Sequence, residues 1–181
     1  TFSQTVGQGL PLWLPKGAAL RERLENFLKK AQKKAGYDTV MTPHIGQKEL
    51  YVTSGHYEKY GKDSFQPMAT PIKGEEFMLK PMNCPAHVQI FKQGIKSYRD
   101  LPIRMAEFGC CHRNEAHGAL HGLMRVRQMT QDDAHIFCRE DQITEETERF
   151  LKLFSRVYKD MGMTDIAYKL ATRPEMRAGD D

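Results

Sequence analysis

Residues 103–115 read IRMAEFGCCHRNE, and residues 120–138 read LHGLMRVRQMTQDDAHIFC. The first stretch predicts a strand from Ile103 to Arg113 and the second a strand from Met124 to Phe137, joined by a glycine-containing connection. In the second, the apolar Met124, Val126, Ala134 and Ile136 fall on even positions, with Gln128, Thr130 and Asp132 between them. The odd positions carry Arg125, Arg127, Met129, Gln131, Asp133 and His135. Side chains alternate faces along a strand, so these six share one face. Two guanidinium groups, an amide, a carboxylate and an imidazole suit a core poorly. The face is either solvated or binds a ligand, and the ligand reading is the preferred one.

Nearer the start of the chain, Leu20, Leu24, Phe27, Leu28, Ala31 and Ala35 recur at helical spacing, with Gly36 placed to end the helix. Residues 1–16, rich in Gly and Pro, precede it as loop. Tyr37 to Met41 reads as a strand stopped by Pro43, and a shorter helix spans about Gln47 to Thr53. Phe77 to Lys80 is a short strand. Pro85 suits the first turn of a helix whose stripe is Val88, Phe91, Ile95 and Tyr98. Cys84 then stands at a helix N-terminus, where the dipole favours a thiolate. A last helix runs from about Asp141 to Met161, with Phe150, Leu151, Phe154, Val157, Tyr158 and Met161 as its stripe and Gly162 at its end. A strand from Asp165 to Thr172 follows, with Ile166, Tyr168 and Leu170 in alternation. The expected class is α+β: an antiparallel sheet flanked by helices. No repeat or long linker divides residues 1–181, so a single domain is the simplest organisation.

The chain carries 27 Lys and Arg against 23 Asp and Glu, with 40% hydrophobic and 28% charged residues, which excludes disorder as a description of the whole. No apolar run approaches the ~20 residues of a membrane span. No charged-then-apolar leader opens the chain, and the expected compartment is the cytoplasm. Seven basic residues between Lys92 and Arg127 face only Asp100, Glu107 and Glu115. Such a stretch is either a solvated face or suits an anionic ligand such as a nucleotide phosphate or a nucleic acid. Cys84, Cys110, Cys111 and Cys138 lie in one window with five of the seven histidines. In a cytoplasmic chain this favours metal binding or reactivity over disulfides. With no C-x-x-C pair, a dispersed site fits better than a zinc finger.

The stretches quoted above resemble the second signature motif of class II aminoacyl-tRNA synthetases. LKPMNCPAHVQIF at 79–91 and the order of the pieces resemble the threonyl-tRNA synthetases among them, and YDTVMTP at 37–43 with its preceding helix is similar to the class's first motif. The resemblance runs from about Leu12 onward. It implies ATP-dependent activation of threonine and its ligation to tRNA(Thr) by a class II catalytic core. The third motif is not found in these residues, so the core is expected to be partial and these 181 residues alone to be inactive. The alternative is a non-catalytic fragment or paralogue that binds nucleic acid or a protein partner.

By the same resemblance, Arg113 pairs with the α-phosphate of ATP and the carboxylate of the amino acid, Glu115 accepts from the adenine amino group, and Arg125 reaches the γ-phosphate. Met129 occupies the place of the family's adenine-stacking Phe. Cys84 and His135 match two of three zinc ligands, the third being a His beyond the end of the chain. Zinc binds the threonine amino and hydroxyl groups, Asp133 accepts from that hydroxyl, Gln131 orients the amino acid, and Met82 walls the pocket. Magnesium accompanies ATP, and the first motif implies a homodimer. The remaining groups read structurally: Cys110, Cys111 and Cys138 as small buried hydrophobes, His87 as a helix-surface or hydrogen-bonded imidazole, and Trp13 as packing. His112, His117 and His121 flank the motif loop, near where the tRNA acceptor end would lie.

Overall fold

Two ten-residue strands form the spine of the computed structural model, which describes residues 1–94 and 96–173. In chain order the elements are α1 (Pro15–Lys34), β1 (Asp38–Thr39), β2 (Ile45–Gln47), α2 (Lys48–Thr53), α3 (His56–Tyr60), β3 (Met68–Ala69), β4 (Glu76–Leu79), α4 (Cys84–Phe91), β5 (Ile103–His112), β6 (Gln128–Phe137) and α5 (Ile143–Asp160). β5 and β6 pair antiparallel from Ile103↔Phe137 to His112↔Gln128. β1 joins the other edge of β5 in parallel, so this sheet is mixed, in the order β1-β5-β6. A second, antiparallel sheet has the order β2-β4-β3. The α+β class with helices flanking small sheets is as expected.

α1 begins with Pro15, whose missing N–H costs nothing in a first turn, and ends with Lys33 and Lys34 against the negative pole of the helix. Gly36, at φ +86°, takes the left-handed turn that follows. α5 carries Glu145 and Glu146 in its first turn. Glu146 grips Arg104 of β5 through two hydrogen bonds of 2.5 Å, which locks α5 onto the sheet. The buried apolar core includes Met78, Met105, Ala106, Cys111, Tyr51 and Val157. Beside it lie buried polar side chains, Lys80, Asn83, His87 and Glu107, from three different elements or their edges.

Four expectations need correction. The second long strand starts at Gln128, not Met124. Residues 121–125 close on themselves through His121 and Arg125, and Arg127 gives its N–H to Gly9 O and its carbonyl to Arg113 N. Arg125 and Arg127 therefore do not share the strand face of Met129, Gln131, Asp133 and His135. α4 ends at Phe91, and Gly94 turns at φ +72°, so Tyr98 is 63% exposed, Val88 also exposed, and Ile95 lies outside the described residues. Residues 165–172 form no strand, because a strand needs a partner and none lies beside them among the described residues. Tyr168 instead packs on Phe154 and meets Ser155 Oγ at 2.8 Å. The strand from Tyr37 shrinks to Asp38–Thr39.

Candidate active site

α4 lies against the odd face of β6 and the facing residues of β5. Pro85 starts the helix, and Asn83, just before it, is fully buried. Asn83 Nδ2 donates to Asp133 Oδ2 at 3.0 Å, and its Oδ1 receives the Cys111 thiol at 3.5 Å. Gly109 makes this possible: a Cβ there would stand 2.2 Å from Asn83 Oδ1. The Cys111 thiol also reaches Gln131 Oε1 at 3.6 Å, and burial pushes its pKa up to about 11. It is uncharged and buried, as expected, whereas Cys110 and Cys138, expected to be buried too, are only half-buried. Gln131 stands opposite Gly109 in the ladder, and Asp133 opposite Glu107.

One helical turn beyond Cys84, His87 is fully buried and joins two chains of contacts. His87 Nε2 lies 2.9 Å from Glu107 Oε2, and His87 Nδ1 lies 2.7 Å from His135 Nδ1. Burial would raise Glu107, but the Thr42 N–H, the His87 ring, the Thr42 hydroxyl and the Lys80 charge outweigh it and hold the carboxyl below its ordinary value. Thr42 N donates at 2.8 Å, and Lys80 Nζ sits 3.5 Å from Oε1 and 2.7 Å from Thr42 Oγ1. An ionised Glu107 only accepts, so the His87 Nε2 proton points to it. Lys80 already balances that carboxylate, and a second buried positive charge on the ring would be unmatched. His87 Nδ1 is then an acceptor and His135 Nδ1 the donor. The chain fixes the His135 tautomer and leaves its Nε2 lone pair free.

His135 itself is held below the ordinary histidine value, chiefly by burial, with Asp133 working against and His87 with that shift. The Cys84 thiol does not follow the helix-dipole expectation. Burial raises its pKa, Asp133 adds to the rise, and its own backbone contact and Arg113 only partly offset them. Among the described residues Cys84 and His135 belong to no preassembled group of three donors. The one such group is His44, Cys110 and His112.

Arg113, one residue past β5, is half-buried; its Nε donates to Pro81 O at 3.3 Å, and its two Nη groups have no hydrogen-bond partner among the described residues. Glu115 and Arg125 are brought together as an ion pair at 3.2 Å, with the Arg125 side chain 60% exposed. Arg127 acts as a strut. Its guanidinium donates to Glu115 O at 3.1 and 3.0 Å and to Gln8 O, tying the N-terminal loop under the Glu115 backbone. Met129 faces Cys111 across the ladder and borders a hollow of about 460 Å³ between the β5–β6 strands and α1 with Trp13. Met82 is half-buried in the segment that leads into α4.

A family model of the tRNA synthetase class II core domain, the one serving the glycine, histidine, proline, serine and threonine enzymes, matches residues 69–180. The chain belongs to this class II synthetase core family. It is 63% identical over 172 residues to a threonine–tRNA ligase of Flavobacterium psychrophilum and 62% identical over 174 residues to that of Flavobacterium johnsoniae. These alignments cover 95% and 96% of the chain but 26% and 27% of the relatives, so the chain spans about a quarter of their length. Among solved structures it resembles one described as the RNA-binding domain of threonyl-tRNA synthetase from Cryptosporidium parvum, with a TM-score of 0.84 and 44% identity, over 90% of this chain and 40% of that one. A Giardia lamblia prolyl-tRNA synthetase solved with prolyl-adenylate shares the fold at a TM-score of 0.75 and 18% identity, over 84% of this chain and 32% of that one. None of the helices among the described residues is long and apolar enough to cross a membrane.

Proposed function

We propose that these residues are part of the catalytic domain of a cytoplasmic threonine–tRNA ligase, which activates threonine with ATP and transfers it to tRNA(Thr). The observation that carries the reading is the odd face of β6, where Asp133 and His135 lie under α4, the helix that Cys84 opens, with the Glu107–His87 chain behind it. A thiol and a neutral imidazole with a free Nε2 lone pair are donors suited to zinc, and Asp133 beside them is a hydrogen-bond acceptor for a hydroxyl. Cys84 and His135 would hold the ion, with a third donor from outside this chain. When bound, zinc supplies a Lewis-acidic centre for the amino and hydroxyl groups of threonine. A site that requires a hydroxyl discriminates against valine far better than pocket shape alone.

Around that centre, Met82 walls the pocket and Gln131 orients the amino acid. The free Nη fork of Arg113 suits a carboxylate and a phosphate at once. In the activation step the ionised threonine carboxylate attacks the α-phosphorus of magnesium-bound ATP. The new phosphorus–oxygen bond forms as the bond to the β-phosphate breaks and pyrophosphate leaves. No general base is required. Arg113 holds the charge that builds on the α-phosphoryl oxygens. Arg125 exchanges Glu115 for the γ-phosphate, which frees Glu115 to accept from the adenine amino group. Met129 lies on the adenine face through its polarizable thioether. A ribose hydroxyl at the end of tRNA(Thr) then takes the threonyl group, with AMP leaving.

Residues 1–181 form one unit of this core, and two copies pair through the α1–β1 region in the complete protein. The test is threonine-dependent ATP–pyrophosphate exchange by the full-length protein. Arg113→Ala should lower the exchange rate by ~10²–10³ while leaving the fold intact. An unaltered rate would overturn the assignment.

A further inference from the structure

On the face of β5 opposite Cys111, Cys110 and His112 stand two residues apart and point to the same side as His44, which follows Pro43. One ligand atom from each of the three lies within 4.8 Å of the others. The backbone fixes the arrangement, since Lys80 N donates to His44 O at 2.8 Å and His112 N donates to Lys80 O at 2.8 Å. Cys110 Sγ is 4.0 Å from His112 Nε2, a long contact even for sulfur. Nε2 is therefore the His112 nitrogen that faces the thiol; the other nitrogen of the ring, Nδ1, is buried with no hydrogen-bond partner among the described residues.

We infer that His44, Cys110 and His112 form a second metal site for a zinc-like divalent ion, separate from the Cys84–His135 centre and independent of it. One thiolate and two imidazoles are a borderline-soft donor set that zinc accepts in tetrahedral geometry with one position left open. Standard bond lengths put the sulfur and nitrogen ligands of such an ion ~3.6 Å apart, so the Cys110–His112 pair needs little movement. His44 is exposed, with its ring centroid 6.1 Å from that of His112. Gln128 Nε2 already donates to Cys110 Sγ at 3.0 Å, a contact that would also support the thiolate. Lys80, whose charge acts on His112, is directed at Glu107 and Thr42. Binding releases the Cys110 thiol proton to water and clamps β5 to the segment between β1 and β2.

The test is titration of the chelator-stripped full-length protein with cobalt(II), following equivalents bound and the thiolate-to-cobalt absorption band. The wild type should bind two equivalents. Cys110→Ser and the surface variant His44→Gln should each lose one, and Cys84→Ser should lose the other. If Cys110→Ser and His44→Gln keep the wild-type stoichiometry, the second site is wrong; if, in addition, only Cys84→Ser loses metal, the first site stands alone. If one equivalent is bound and only Cys110→Ser loses it, the second site stands and the Cys84–His135 reading falls. A protein that binds none refutes both.

Discussion

Replacing Glu107 by Gln should disable the nitrogen of His135 proposed to bind zinc, without touching His135. The carboxylate has two distinct jobs. Its Oε1 accepts from Thr42 N–H and faces Lys80, while its Oε2 accepts from His87 Nε2. A glutamine has one acceptor and one donor end. Thr42 N–H and the Lys80 ammonium are obligate donors, so the amide oxygen must face them and the NH₂ must face His87. His87 then carries its proton on Nδ1 and donates to His135 Nδ1, and the His135 proton moves to Nε2, where a metal would bind. Loss of such an outer hydrogen-bond partner costs about 10–100-fold in metal affinity. The same change leaves Lys80, which is 1% exposed, without its counter-charge. Removing one member of a buried ion pair costs about 3–5 kcal/mol, and the retained amide acceptor places this case near the lower end. Three measurements on the full-length protein separate the effects: a urea melt, zinc competition against a chromophoric chelator, and ¹⁵N shifts of the His135 ring in the folded, metal-free state. If His135 keeps its proton on Nδ1 and zinc affinity is unchanged, the chain of hydrogen bonds does not set the tautomer.

Gly109→Ala would drive a methyl to 2.2 Å from Asn83 Oδ1 and 2.5 Å from its Cγ. Overpacking of this kind costs about 1–3 kcal/mol, and displacement of Asn83 should also raise KM for threonine by releasing Asp133; an unchanged urea midpoint and KM would refute it. Glu107 and Glu146 both lie below the ordinary carboxyl value of 4.5 in the folded protein, Glu146 chiefly through its hydrogen bonds to Arg104. The folded state therefore binds fewer protons than the unfolded one, so this stabilisation is complete above about pH 4.5 and lost as pH falls through the lower folded values. Glu146→Gln should flatten that acid limb in a pH series of denaturant melts, and an unchanged slope would count against the pairing. α1 exposes Leu20 and Leu24, and the chain after β1 exposes Met41 at 90%. The complete protein should therefore sediment as a dimer at micromolar concentration, and a monomer would exclude this face as a two-fold interface.

How far the sequence reaches depends on the distance over which each contact acts. The β5–β6 ladder was legible because period two is local, and Asp133 and His135 fall on the face the alternation gives them. Arg125 and Arg127 continue the same alternation, yet Gly9, more than a hundred residues earlier, holds the Arg127 backbone, and periodicity carries no trace of that partner. Alternation likewise proposed a strand at 165–172 but cannot supply the neighbour a strand requires. The polar interior was the least visible part. Lys80 and Glu107 end or interrupt apolar runs, and each alone looks like an exposed charge; only their 3.5 Å separation makes them a buried pair. Two signals were present all the same. Gly109 inside a strand marks a place where something approaches the backbone closely, and here that is Asn83. His87, three residues after Cys84, occupies the same helix face, which makes it the natural link between the helix and whatever ring lies opposite on β6. Both clues concern what stands behind the site and not what touches substrate. Residues of that kind are recognised by the partners they require: Gly109 by the space Asn83 needs, His87 by one acceptor on Glu107 and one donor on His135.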